Sequence, residues 1–306
     1  MKFPTHRGAA LITVLLIVAI ATTLAAYIVQ QQGHWQRQTE NLFAYAQARS
    51  IGVAGIDWAR AVLADDAVTS TTDHKGEIWT TRLPAVQVDD FEVSGFIEDS
   101  QGLFNLNNLV RNGTASARDV AQFRRLLALL GLPEELADSL CDWMDADSTP
   151  QQTGGAEDNT YLALASPYRA ANQPLAELAE LAYVQGYDQM TIARLQPYVS
   201  VLPQPARINV NFAPPEVLAA MTGMALTDAR SLAHQRDLNP FSDIADFRQR
   251  LPRGGTQTVD TDFSVSSQYF RVTGHASNGT AQITTRALLR RDASAHWPTV
   301  IWQNLQ

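Results

Sequence analysis

Residues 7–29, "RGAALITVLLIVAIATTLAAYIV", decide the architecture. Arg7 and Gly8 stand directly before an apolar run that continues past the point where a removable leader would end. Ala9 to Val29 is 21 residues without a charge, which at 1.5 Å per helical residue crosses the roughly 30 Å hydrocarbon core of a bilayer. Lys2, His6 and Arg7 precede the run, and acidic residues dominate the chain beyond it. The positive-inside bias therefore puts the N-terminus in the cytoplasm and the bulk of the chain across the membrane. The alternative is a secretory signal cut at Ala19-Ile20-Ala21, with a mature start at Thr22. Against it, the apolar pattern carries on into water as Ile28, Trp35, Leu42, Ile56 and Leu63 at multiples of seven, with Arg49 the one miss, and no loop separates span from stem.

A basic leader ending in Arg7-Gly8, a small residue at Ala9, an apolar span and a long amphipathic stem resemble the class III signal of type IV pilins and type II secretion pseudopilins. The resemblance implies cleavage after Gly8 by a prepilin peptidase and methylation at Ala9. It also implies storage in the inner membrane as a single-pass protein with a periplasmic C-terminal domain, and recruitment by an inner-membrane assembly platform. Most members carry a glutamate at the fifth mature position, which here is Thr13. A carboxylate in hydrocarbon is expensive unless a neighbour's ammonium meets it, so a subunit with no neighbour above gains nothing from one. A threonine hydroxyl can bond to a carbonyl one turn back instead.

That departure, with a length near 300 residues, is similar to the K-type minor pseudopilins. Membership would imply an α+β pilin-like fold, a long N-terminal helix packed on an antiparallel sheet with a large inserted helical domain. It would also imply a tip position that initiates or caps assembly in support of export of folded proteins across the outer membrane. The implied partners are I-type, J-type and H-type minor pseudopilins, and the implied cofactor is calcium in the inserted domain.

Composition narrows the alternatives. The chain has 306 residues, 45% of them hydrophobic, and a formal charge of −8, enough apolar material for a real core. Removing residues 1–8 leaves 21 basic against 31 acidic residues, so nucleic acid is not an expected partner. The lone Cys141 rules out an intramolecular disulfide and reads as a small buried thiol.

Beyond the stem, Glu77 to Leu83 and Phe91 to Ile97 read as β-rich, and similar grammar returns at Tyr269 to His275 and Gln282 to Arg290 around Asn278-Gly279, a hairpin signal. The stretch from about Leu109 to Val259 reads as helices. The expected division is a leader over 1–8, span and stem over 9–64, β-region over 65–107, inserted α-domain over 108–258, and a second β-region over 259–306.

The insertion carries a faint internal repeat. Phe104-Asn105-Leu106-Asn107-Asn108 and Ile208-Asn209-Val210-Asn211-Phe212 each precede a helix-rich stretch. The second copy resembles the helix-hairpin-helix units of DNA-uptake receptors. Its turn, Thr222-Gly223-Met224-Ala225, has one glycine rather than Gly-x-Gly, and the first copy has Pro133 where a donor is needed. The basic footprint is missing too, so the likeness is one of SAM-like or hairpin packing rather than DNA binding.

From Leu126 to Tyr168 there is no Lys or Arg, while eight carboxylates accumulate. Asp142, Asp145, Asp147 and Thr149, then Gly154-Gly155, then Glu157 and Asp158 offer hard oxygen ligands in a loop, which suits Ca²⁺. It is not an EF-hand: with Asp145 first, Pro150 holds the glycine position and Ala156 the bidentate glutamate position. A solvated acidic loop has the same composition. Asp99 reads as a turn cap.

No catalytic constellation is visible, since the six histidines are scattered and there is no nucleophile elbow or phosphate loop. The reading is therefore of an assembly protein and not an enzyme. A minor type IV pilin with an adhesive or pilus-assembly role remains an alternative, as does a periplasmic calcium- or DNA-binding module.

Overall fold

The computed structural model describes residues 7–151, 153–252, 260–292 and 297–306, without the side chains of residues 7–10 and 260. The expected leader thus lies largely outside the described residues, and Gly8 and Ala9 are described only as backbone in the first turn of a helix. That helix, α1, runs from Arg7 to Thr69, about 95 Å at 1.5 Å per residue. Among the described residues it is the one helix long and apolar enough to cross a membrane. Over the span, Thr22 and Thr23 return their hydroxyls to carbonyls at i−4 and i−3, which removes the cost of a bare hydroxyl in hydrocarbon.

The heptad stripe divides in two. Trp35 and Leu42 are exposed, whereas Ile56 and Leu63 are buried, because the sheet is in reach only from Ala44 onward. There Ala48, Ile56, Ala59 and Leu63 pack on the sheet.

After α1 come β1 (Leu83–Val88) and β2 (Phe91–Asp99). The stretch Glu77-Ile78-Trp79-Thr80, read as β from its residue types, is instead a 3₁₀ turn over Ile78–Thr80. The Glu77 carboxylate accepts from the His74 N–H (3.1 Å) and from Trp79 Nε1 (2.7 Å). Those two bonds curl the chain and carry Trp79 into the core against Phe270, a tertiary contact that overrides local β preference.

The chain then leaves the sheet. The insertion comprises β3 (Phe104–Asn105), β4 (Val110–Arg111), β5 (Thr114–Ala115), α2 (Ala117–Leu129), α3 (Leu136–Met144), α4 (Asp158–Leu162), α5 (Gln189–Leu195), β6 (Val199–Ser200), β7 (Ile208–Asn209), α6 (Pro215–Thr222), α7 (Leu226–Leu238), α8 (Ile244–Arg250) and β8 (Phe263–Ser264). The sheet resumes with β9 (Tyr269–Ser277), β10 (Gln282–Arg290) and β11 (Thr299–Leu305). All pairings in the order β1-β2-β9-β10-β11 are antiparallel. β9 and β10 form the hairpin at Asn278, whose Oδ1 accepts from the N–H groups of Thr280 and Ala281. The fold is therefore α+β, with α1 across one face of an antiparallel sheet. The sheet is interrupted between Asp99 and Tyr269, wider than 108–258, and the expected boundary at 258 lies outside the described residues.

Within the insertion the faint repeat becomes geometric. Asn107 pinches the backbone of Leu175, donating to its carbonyl and accepting from its N–H, both at 2.9 Å. Asn211 does the same to Phe241, at 3.0 and 2.8 Å. Asn105 and Asn209 each accept from the N–H two residues on, and each half closes on a short parallel pair, β3 with β6 and β7 with β8. Buried asparagines satisfied at both ends fix a loop with little tolerance for error.

Candidate metal centre

The acidic loop connects α3 to α4. α3 is a short helix in which all nine residues are buried, so it delivers Asp142 and Asp145 to the loop on a rigid support. Asp142 is fully buried, and both its oxygens accept from the Gln151 N–H, at 3.3 and 3.1 Å. Its role is to fold the loop back on the helix. At Gly155 a Cβ would collide with Asp142 Oδ2 and the Gln151 backbone, and at Gly154 one would meet Glu135. The Gly-Gly pair is thus what lets the loop return closely enough to bring Glu157 home.

Asp145, Asp147 and Glu157 converge, each with an oxygen within 4.8 Å of the others. Asp145 and Glu157 are 2% and 5% exposed, and Asp145 Oδ1 and Glu157 Oε1 are buried with no hydrogen-bond partner among the described residues. Orphaned carboxylate oxygens are costly unless a cation meets them. Burial, then the charges of Asp147 and Asp142, pushes the Asp145 carboxyl up to about 6. Burial, then Asp142, Asp145 and Asp147, pushes Glu157 up to about 7. Asp142 is raised as well, chiefly by burial. A divalent cation with hard oxygen preference fits this donor set, since it would remove both the repulsion and the unmet acceptors.

Not every candidate joins. Asp158 turns away, accepting from Arg169 Nη1 at 3.0 Å and from the Ala170 N–H at 3.1 Å. Thr149 is exposed and presents its N–H to Asp147 Oδ1 at 2.7 Å, which orients that carboxylate. Asp138, beside the loop on α3, pairs with Arg124. Both arginines lie just outside the Lys/Arg-free window. The centre rests on an aromatic floor, with Trp143 edge-on to Tyr161 at 5.1 Å and Tyr161 stacked on Tyr168 at 5.4 Å. Cys141 is buried beneath, its thiol pushed up to about 12 by burial and then by Asp138, so it is inert as a nucleophile.

A second carboxylate trio, Asp66, Asp73 and Glu77, has no sequence signal. Arg291 reaches it from the end of β10, bonding Asp66 at 2.8 Å and Asp73 at 2.6 Å. Ser267 N–H donates to Asp73 Oδ2, and Asn209 Nδ2 to the Asp73 carbonyl. This network fastens the far end of α1, the sheet and the second half of the insertion to one another. Burial, then Glu77, still raises Asp66 to about 6 against the pull of Arg291. Asp99 caps its turn through the Gly102 N–H and is raised to about 7, first by burial.

Comparison with known proteins bears on what this arrangement serves. Residues 102–204 match one family model described as type II secretion system protein K, and residues 208–266 match a second model of the same description. The two matches divide where the asparagine motif repeats. Type II secretion system protein K of Pseudomonas aeruginosa is 38% identical over 297 residues, 94% of this chain and 89% of the relative. The Klebsiella pneumoniae protein of the same description is 32% identical over 303 residues, 94% of this chain and 93% of the relative. A chain of the solved GspK–GspI–GspJ complex from enterotoxigenic Escherichia coli superposes with a TM-score of 0.78 at 27% identity, covering 88% of this chain and 99% of that one.

Proposed function

This chain belongs to the type II secretion system protein K family and is a minor pseudopilin, and from that premise we propose that it caps the membrane-distal end of a pseudopilus in complex with I-type and J-type partners. The observation that carries the proposal is the position of the insertion. It is tied to the loop that follows α1 at Thr69 through Asn209 to Asp73 and an ion pair of Lys75 with Asp237, at the end of the stem opposite the apolar span. A bulky domain there obstructs a further subunit stacking above. Thr13 in place of a glutamate supports the same end position, because only a subunit with a neighbour above has an ammonium to meet. The solved complex contains K with I and J, which supports those two partners; H-type subunits would join from below.

The span supports an inner-membrane anchor with the N-terminus in the cytoplasm and the body in the periplasm, processed between Gly8 and Ala9. The role is structural and not catalytic. The acidic loop holds Ca²⁺ through Asp145, Asp147 and Glu157, with Asp142 shaping the loop and Thr149 steering Asp147. Asp158 braces the loop from outside. The cation supplies charge compensation, and the residues supply the fold that receives it. The secretion-system relatives favour this reading over an adhesive type IV pilin.

Gold-labelling the insertion on pseudopili assembled from the full set of subunits tests the end position. One label at one end of each filament is expected, and label along the shaft would sink the cap. Intact-mass analysis with and without the prepilin peptidase checks the anchor, a methylated start at Ala9 being the expected product.

A further inference from the structure

The acidic loop is held at its ends more firmly than along its length. Asp145 closes α3, its N–H bonded to the Cys141 carbonyl at 2.8 Å, and its backbone leaves the helix extended. At the far end the Gln151 N–H is taken by the Asp142 carboxylate. Residues 146–150 between these points are exposed. Among the described residues one hydrogen bond joins that stretch to the rest of the fold, from the Ala146 N–H to the Gly113 carbonyl at 3.1 Å.

Gly113 belongs to a rigid part of the insertion. β4 and β5 pair Val110 with Ala115 and Arg111 with Thr114, which leaves Asn112 and Gly113 as a two-residue turn. Both are left-handed, at φ 53° and 76°, as the tightest hairpin turn demands. Val110 lies in the core, the Ser116 N–H returns to the Leu109 carbonyl at 2.7 Å, and Arg111 pairs with the buried Asp119. The hairpin thus rises from the buried 3₁₀ turn Leu106–Asn108, which carries the Asn107 pinch. Its tip is what meets the acidic loop: a Cβ placed on Gly113 would come within 3.0 Å of the Ala146 Cβ. Away from the tip, Thr114 and Ala115 line a cavity together with Asp145, Asp147 and Gln151, so open space separates β5 from the loop.

Ala146 stands between two of the three converging carboxylates. Fixing its backbone fixes how Asp145 and Asp147 face one another, and a loop already held in place gives up less conformational freedom when an ion arrives. We infer that Gly113 is a positioning residue of the proposed calcium site, its carbonyl and its missing Cβ together setting the place of Ala146 and so the separation of the Asp145 and Asp147 carboxylates. The inference rests on the calcium reading above and adds to it the element outside the acidic loop that tunes affinity.

The test titrates Ca²⁺ by calorimetry into the full chain, freed of metal and held in detergent micelles. Gly113→Asn supplies a residue type that tolerates the left-handed region and adds the Cβ. It is expected to weaken calcium binding about tenfold, on the scale of one well-placed contact, with the thermal midpoint in chelator unchanged because the empty loop can give way at Ala146. Adding Ala146→Gly to that variant clears the space, and affinity is expected to return to that of Ala146→Gly alone. Ala146→Pro is a second variant that leaves the hairpin untouched. It removes the N–H donor at an exposed position, after an Asp145 backbone already extended as a following proline requires, and the same loss is expected. Full affinity in either variant would overturn the inference, as would a loss that Ala146→Gly does not relieve or a fall of the chelator midpoint in step with affinity in both variants. Those outcomes leave the calcium reading standing, whereas an unaltered chain that binds no calcium would sink that reading and this inference with it.

Discussion

Among the described residues stand two trios of carboxylates, Asp66, Asp73 and Glu77 at the root of the insertion and Asp145, Asp147 and Glu157 in its acidic loop. The first receives its counter-charge from within the chain, because Arg291 lies between Asp66 and Asp73. The second receives none among the described residues, and two of its buried oxygens have no partner there. The physics is the same in both places: adjacent carboxylates shielded from water raise one another's energy until a cation intervenes. The difference lies in where the cation comes from. A guanidinium in the chain makes a permanent fastening, whereas the Ca²⁺ proposed for the loop would make one that calcium concentration can loosen.

The sharpest way to break the comparison is to remove the internal cation. Arg291→Met leaves Asp73, 1% exposed, as an uncompensated buried charge, and a loss of about 3–5 kcal/mol is expected from thermal or denaturant unfolding. A smaller effect should come from the external one. Calcium at about a hundredfold over its Kd should stabilise the chain by about 2.7 kcal/mol, with the gain abolished by chelator and by Asp145→Asn together with Glu157→Gln. Calorimetry with and without calcium reads both.

Acidity separates the trios further. Asp145 and Glu157 are raised to about 6 and about 7 from ordinary values of 3.8 and 4.5. Between those limits the metal-free folded chain holds protons that the unfolded chain has released. Metal-free stability should therefore fall as pH rises from about 4 to about 7. Measured as the difference between the unaltered chain and the Asp145→Asn, Glu157→Gln variant, that slope should vanish once calcium is bound, and calcium affinity should weaken on acidification. The smallest effect is expected at Asp158→Asn: its partner Arg169 is 74% exposed in its side chain, so the change should cost less than about 1 kcal/mol and leave calcium binding nearly intact. A loss as large as that of Asp145→Asn would return Asp158 to the ligand set.

Much of the frame was readable from short stretches. The span, the stem, the Asn278-Gly279 hairpin and the helices of the insertion each depend on neighbours within a few residues, where period and turn chemistry act. The acidic loop could be read as a collection of oxygen ligands, but not sorted. Asp158 differs from Glu157 only in that Arg169 and the Ala170 N–H lie on its side of the turn. Trp79 was misleading for the same reason, since its local preference was β and its indole nitrogen was claimed by Glu77.

By itself, then, the sequence determined that an uncharged run of 21 residues would seek a bilayer and that an amphipathic stem would continue from it, because hydrophobic period and length are properties of contiguous residues. Tertiary structure alone decided that β2 would pair with β9 across the whole insertion, that Arg291 would neutralise Asp73 across 218 residues, and that Asp145 and Glu157 would be left facing one another without a cation from among the described residues. Contacts at such separations are fixed by packing of the complete fold, and no local pattern encodes them.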